Sequence, residues 1–188
     1  MIGQGGTKGR IPLEREEDIP ATYRETPIGD LVRFHNLAHE APVYERPQLL
    51  VGMCMDHRKQ LRLPEGFAYV LRAGGANFRR HEFKLSFAIA IGGVRAIALV
   101  GHTDCGMVGL AARREAFIDG LVAGAGWDRE AAAAHFDESV PRFEIGDAAG
   151  FVISEVARLG RRYPKVTVAP LLYDVADGRL YGLREDPS

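Results

Sequence analysis

The sequence predicts a single α/β domain with a mainly parallel central sheet flanked by helices. Three observations carry that reading. Short continuous apolar runs, clearest at Gln48 to Met53 and Ala96 to Val100, have the composition of strands buried on both faces. Stretches with helical spacing of apolar residues lie between and after them. The length, 188 residues, suits one hydrophobic core and is only marginal for two.

Taken in order, residues 1–25 mix Gly, Pro and charge without a period, which predicts a flexible arm, disordered alone or ordered against a partner subunit. The packed domain is expected over residues 26–188. Thr26-Pro27 followed by Ile28 to Leu37 predicts a helix, with Pro27 in its first turn. Gln48 to Met53 predicts a buried strand that delivers Cys54 at its carboxyl end. Phe67 to Leu71 predicts a second strand ending in the turn Ala73-Gly74-Gly75. A helix over Glu82 to Ile91 follows, stopped by Gly92-Gly93. Ala96 to Val100 predicts a third buried strand running into Gly101-His102, so His102 is expected where Cys54 is, at the carboxyl edge where open α/β sheets collect ligands. Ala111 to Ala123 and Arg129 to Phe136 read as helices separated by Gly124-Ala125-Gly126. Asp147 to Arg162 reads as a helix capped by Asp147, with Phe151, Val152, Val156 and Leu159 on one face. Val166 to Ala169 and Leu171 to Val175, with Arg179 to Tyr181, read as a strand running into a hairpin.

Composition narrows the function classes. With 24 basic and 25 acidic residues and a formal net charge of -1, nothing electrostatic favours nucleic acid or an anionic membrane as partner. A small or neutral ligand fits better. The first ten residues lack the apolar core of a secretory signal. The most apolar stretch, Leu85 to Val100, is broken by Gly92-Gly93 and Arg95 and falls short of the roughly 20 residues a bilayer crossing needs. A cytoplasmic location is the resulting expectation.

The chain has only two cysteines, Cys54 and Cys105, too few for a disulfide scaffold. His102-Thr103-Asp104-Cys105 has a ligand spacing that can close on one ion, and the predicted strands bring Cys54 to the same sheet edge. Together these spell a Cys₂His zinc site, whose three protein ligands leave one tetrahedral position open, as catalytic zinc requires. The alternative reading is two ordinary buried thiols. Asp56 and Arg58 alternate with Cys54, so in an extended segment all three project to one side. Arg58 can then hold the Asp56 carboxylate ionised beside the metal; the alternative is a surface ion pair. His35 and His39 are four apart on one helical face but lack a third ligand.

Cys-x-Asp-x-Arg followed by His-x-x-Cys-Gly resembles the β-class carbonic anhydrases. Arg72-Ala73-Gly74-Gly75 stands where that family has an Arg-Asn-Ala-Gly type turn. Gly101 to Met107 is similar to the shorter, archaeal-type branch, and Leu172 to Leu180 to the terminal hairpin. The resemblance spans about residues 26–183. It implies reversible hydration of carbon dioxide to bicarbonate and a proton through a zinc-bound hydroxide. Cys54, His102 and Cys105 would be the zinc ligands and Asp56 and Arg58 the catalytic dyad, with Asp56 able to close the site as a fourth ligand. It also implies a homodimer or higher homo-oligomer with the site near the subunit interface. Related proteins of this fold hydrolyse carbonyl sulfide or carbon disulfide with the same ligands, and a non-catalytic zinc-binding homologue is the remaining alternative. Three residues depart from the family pattern. His57 replaces a small residue between the dyad members, Ala73 replaces Asn, and Glu45 stands where the plant-like branch has Gln.

Overall fold

A computed structural model describes residues 9–184 of the chain. The elements are β1 (Arg10–Pro12), α1 (Ala21–Arg24), α2 (Pro27–His35), β2 (Leu49–Met53), β3 (Ala68–Arg72), α3 (Glu82–Ala90), β4 (Ala96–His102), α4 (Arg114–Ala125), α5 (Arg129–Phe143), α6 (Ala148–Arg162), β5 (Thr167–Tyr173) and β6 (Leu180–Leu183). The strands form one sheet in the order β1-β6-β5-β4-β2-β3. The four strands β3, β2, β4 and β5 are parallel, and β6 and β1 extend the sheet antiparallel. This is the predicted α/β class.

Alternation along the buried strands builds two cores, one per sheet face. Leu49, Val51 and Met53 of β2 and Ala96, Ala98 and Val100 of β4 pack with Ile28, Leu31, Val32 and Phe34 of α2. Leu50, Ile97 and Leu99 point the other way, against Leu85 and Ala88 of α3 and Val152 and Leu159 of α6. The result is three layers, with β2 and β4 central and buried at every position.

Local contacts set the helix ends: Asp147 caps as expected, and α4 runs through Gly124 and Ala125 to end at Gly126. The Thr26 hydroxyl accepts from Ile28 N at 3.2 Å and caps α2. Asp147 Oδ1 accepts from Gly150 N at 2.7 Å and caps α6. Gly126 ends α4 in the left-handed conformation, φ 71°. Helix α5 runs on to Phe143, past the expected end at Phe136, and carries Pro141 inside it. The two strand pieces expected around Pro170 are a single strand, β5. Its partner β6 pairs only from Leu171 onward, so Pro170 lies where one side of the strand is free of a ladder.

Packing also begins earlier than residue 26. Within the expected arm, Arg10–Pro12 pairs with Tyr181–Leu183 of β6, and Leu13 and Ile19 are 2% and 1% exposed in the core beneath α2. Three strand residues that follow a glycine and end in a proline carry no period that a sequence reading can register. The remainder of the arm, residues 1–8, and residues 185–188 lie outside the described residues.

His35 is buried, with both ring nitrogens engaged. Nε2 lies 2.9 Å from Gly178 O, and Nδ1 accepts from Arg62 N at 3.0 Å. His39 is exposed. The expected pair on one helical face therefore does not form a ligand set. A carbonyl can only accept, so His35 is neutral with its proton on Nε2. Burial pushes its pKa below the ordinary 6.5. Below about pH 6.5 the unfolded chain takes up a proton that the folded chain refuses, so this contribution to stability is lost as pH falls. Thermal melts between about pH 7 and about pH 5 should show a downward step that is smaller in His35→Gln. An equal step in both proteins would rule His35 out as its source.

Candidate metal centre

Strands β2 and β4 are parallel neighbours, with Met53 opposite Val100. From β2 the chain crosses to β3 on one side, and from β4 to β5 on the other. The carboxyl ends of β2 and β4 therefore flank the point where the connections diverge, which opens a crevice for ligands. Cys54 follows β2 directly, His102 is the last residue of β4, and Cys105 sits in the loop just beyond. Their ligand atoms lie within 4.8 Å of one another, and all three residues are buried.

The tautomer of His102 follows from its contacts. Nδ1 lies 2.9 Å from Thr103 O, and a carbonyl only accepts, so Nδ1 carries the proton and Nε2 presents a lone pair. Nε2 is buried and has no hydrogen-bond partner among the described residues. An orphaned acceptor beside two thiols is unfavourable unless something fills the gap. A cation with a taste for sulfur and imidazole nitrogen fits this donor set. The thiols are primed for it. Donation from Cys105, against the opposing effect of burial, holds the Cys54 thiol far below its ordinary pKa, and the same contact pushes Cys105 up. A cation bound by both thiols would displace the proton between them.

Backbone geometry supports Cys54 further. Gly75 N donates to Cys54 Sγ at 3.3 Å. Gly75 adopts φ 62°, and a Cβ there would come within 3.1 Å of Ile145 Cδ1 and 3.3 Å of Met107 Cβ, so the turn needs glycine for both conformation and space. Arg72, at the end of β3, reaches back with Nη1 3.4 Å from both Cys54 O and Asp56 O, and Nη2 3.4 Å from Lys59 O. It thereby straps down the loop that carries the dyad.

Asp56 and Arg58 do meet. Asp56 Oδ1 accepts from Arg58 N at 2.9 Å and Nε at 3.0 Å, and Oδ2 accepts from Nη2 at 2.8 Å. Hydrogen bonds from Arg58 hold the Asp56 carboxyl well below the usual carboxylate range, so it is ionised at neutral pH. Its Oδ2 is 4.0 Å from His102 Nε2, placing the carboxylate beside the cluster. Arg58 also donates to Asp104, through Nη1 to Oδ2 at 2.6 Å and Nη2 to O at 2.9 Å. Asp104 takes φ 54°, a left-handed conformation that Asp tolerates better than most residues.

Several contributors were not assigned roles by sequence reasoning: the Gly75 donor, the Arg72 strap and Asp104 as second partner of Arg58. Arg72 and Gly75 had a signal in the turn Arg72-Ala73-Gly74-Gly75, and Asp104 in being an acid beside a candidate ligand. Of the departures from the family pattern, His57 is exposed and Glu45 is exposed ahead of β2, at the opposite end of that strand from Cys54. Ala73 is partly buried in the turn and donates its N–H to Met53 O at 3.0 Å. Two surface hollows of about 330 and 380 Å³ are lined by Phe34, His39 and Arg62 and by Arg46, Gly92 and Arg95, all away from the cluster.

No family model matches the sequence, and no curated protein does. Solved structures do match. A carbonic anhydrase from Glaciozyma antarctica aligns at 25% identity with a TM-score of 0.59, over 76% of this chain and 85% of its own. A carbonic anhydrase from Streptococcus mutans aligns at 22% identity and TM-score 0.58, over 84% of this chain and 95% of its own. The chain has the fold of the β-carbonic anhydrases. That fold also includes a carbon disulfide hydrolase, which aligns at 19% identity and TM-score 0.53, over 77% of this chain and 82% of its own. The β-carbonic anhydrase fold explains how Cys54 meets His102 and Cys105 from a distant part of the chain: the two strands that carry them to the site are parallel neighbours and end side by side.

Proposed function

We propose that the chain is a zinc-dependent carbonic anhydrase, with Cys54, His102 and Cys105 holding the metal and Asp56 and Arg58 acting beside it. The observation that carries this reading is the buried Cys-His-Cys cluster next to an ionised, oriented carboxylate, on the fold of the carbonic anhydrases. Zinc is the ion best suited to two thiolates and one imidazole with a position left open. When bound, it supplies the Lewis acidity that makes water nucleophilic toward carbon dioxide near neutral pH.

The residues of the chain do the rest. Cys54 and Cys105 supply thiolate charge, eased by the Gly75 N–H. His102 offers Nε2 because Thr103 O fixes its other nitrogen. Asp56 accepts a hydrogen bond from water entering the site and orients it, and Arg58 holds the carboxylate in place. Because both carboxylate oxygens of Asp56 accept from Arg58, with Oδ2 taking only one of these bonds, it is turned to its arginine in the arrangement that leaves the fourth position free. Placement in the shorter, archaeal-type branch is part of this reading, supported by the run Gly101 to Met107.

Assembly into a homodimer or larger homo-oligomer also belongs to it. Phe83, Phe87 and Ile91, spaced by four along α3 and its carboxyl end, are 81%, 49% and 73% exposed, and β3 is an edge strand of the sheet. Light scattering that finds only single chains would contradict this. No helix among the described residues is long and apolar enough to cross a membrane, and two free cysteines suit the reducing cytoplasm.

Stopped-flow hydration of carbon dioxide by purified protein tests the function. Activity should vanish on chelation and return with zinc. Sulfide release from carbon disulfide without carbon dioxide hydration would move the assignment to the hydrolase. A folded, zinc-loaded protein with neither activity would overturn it.

A further inference from the structure

Lys59 is the largest fully buried side chain among the described residues, at 1% exposure, and its Nζ has no hydrogen-bond partner there. Lysines are almost never buried this completely without a counter-ion, and an ammonium left unpaired in the interior is strongly unfavourable. The residue lies in the loop that begins at Cys54. Its backbone carbonyl is held by Arg72, the residue that also straps the carbonyls of Cys54 and Asp56. Burial is the largest effect on its ammonium and brings the pKa down to about 8, still charged at neutral pH; Cys54, Cys105 and Asp56 attract the charge and Arg72 opposes it. Cys54 and Cys105 feel the lysine in return, both being made more acidic by it.

We propose that Lys59 is the fixed positive charge that draws a small inorganic anion, bicarbonate in the proposed reaction, to the Cys54–His102–Cys105 centre. This rests on the metal-binding reading above. A divalent cation held by two thiolates and a neutral imidazole is electrically neutral as a set. Asp56 and Asp104 share the charge of Arg58, and the Arg72 guanidinium against the same loop offsets the remaining negative charge, which leaves Lys59 over. The buried Lys59 charge therefore biases the centre toward an anion at its free position. It acts through space in a low-dielectric interior, where it is little screened. Carbon dioxide is neutral and gains nothing from such a charge; bicarbonate does. Lys59 thus discriminates between the two sides of the reaction instead of contributing equally to both.

The test is calorimetric titration of zinc-loaded wild-type and Lys59→Met protein with sodium azide and with sodium bicarbonate at constant ionic strength, alongside thermal melts. Met preserves the length and burial of the side chain. Azide and bicarbonate affinity should both fall about tenfold or more in Lys59→Met, the KM for carbon dioxide should move far less than that for bicarbonate, and the melting temperature should hold or rise because an unpaired buried charge has gone. Unchanged azide and bicarbonate affinity in zinc-loaded Lys59→Met overturns the inference and leaves the proposed function standing. So does a lowered melting temperature with unchanged anion affinity, which marks Lys59 as a packing residue. Zinc-loaded wild type that hydrates no carbon dioxide defeats the proposed function, and the azide comparison still decides the role of Lys59. A wild-type chain that takes up no metal overturns both.

Discussion

Cys54→Ser is expected to strip the protein of tightly held zinc and of carbon dioxide hydration together. Serine keeps the size of the side chain but replaces a soft, readily ionised thiol with a hydroxyl that stays protonated. The Gly75 N–H at 3.3 Å from Cys54 Sγ would then face an acceptor that carries no charge. Metal affinity should drop by more than the roughly 10–100-fold that outer-shell partners are worth, since a direct ligand is lost. The measurement is zinc per chain after dialysis against a competing chelator, with circular dichroism to show that the fold persists. One zinc per chain surviving in the variant would remove Cys54 from the ligand set.

Asp56→Asn should separate binding from turnover. The amide cannot carry the charge that the Arg58 fork holds in place, and it presents one acceptor oxygen where the carboxylate presents two. Arg58 remains anchored by Asp104, so the loop should keep its shape and the metal its ligands. Hydration should fall about a hundredfold or more, the scale expected for a lost proton-handling group, while zinc content stays at the wild-type level. Loss of zinc in parallel with activity would instead make Asp56 a ligand in the resting protein.

Much of this fold was legible because its signals are local. Buried strands announce themselves as apolar runs, and Thr26, Asp147 and Gly126 mark helix ends through contacts within a few residues. Strand β1 was not legible, because its three residues are held by pairing with β6, near the other end of the chain. The meeting of Cys54 with His102 was readable for the same reason as the strands: both stand at the ends of apolar runs, and parallel neighbours in one sheet end together. The support around it was not. Arg72 and Gly75 act from the end of a third strand, and Asp104 reaches Arg58 across 46 positions. Lys59 reads in the sequence as one more polar residue in a charged loop. Only its burial, with no partner for Nζ among the described residues, shows it to be an unpaired charge.

Whether Cys54 and Cys105 share one zinc ion is decided by zinc-edge X-ray absorption of the purified protein. Two sulfur neighbours at about 2.3 Å are expected, with nitrogen or oxygen neighbours at about 2.0–2.2 Å completing four-coordination. A metal shell without sulfur, or metal-free protein with Cys54 and Cys105 joined as a disulfide, would contradict the assignment.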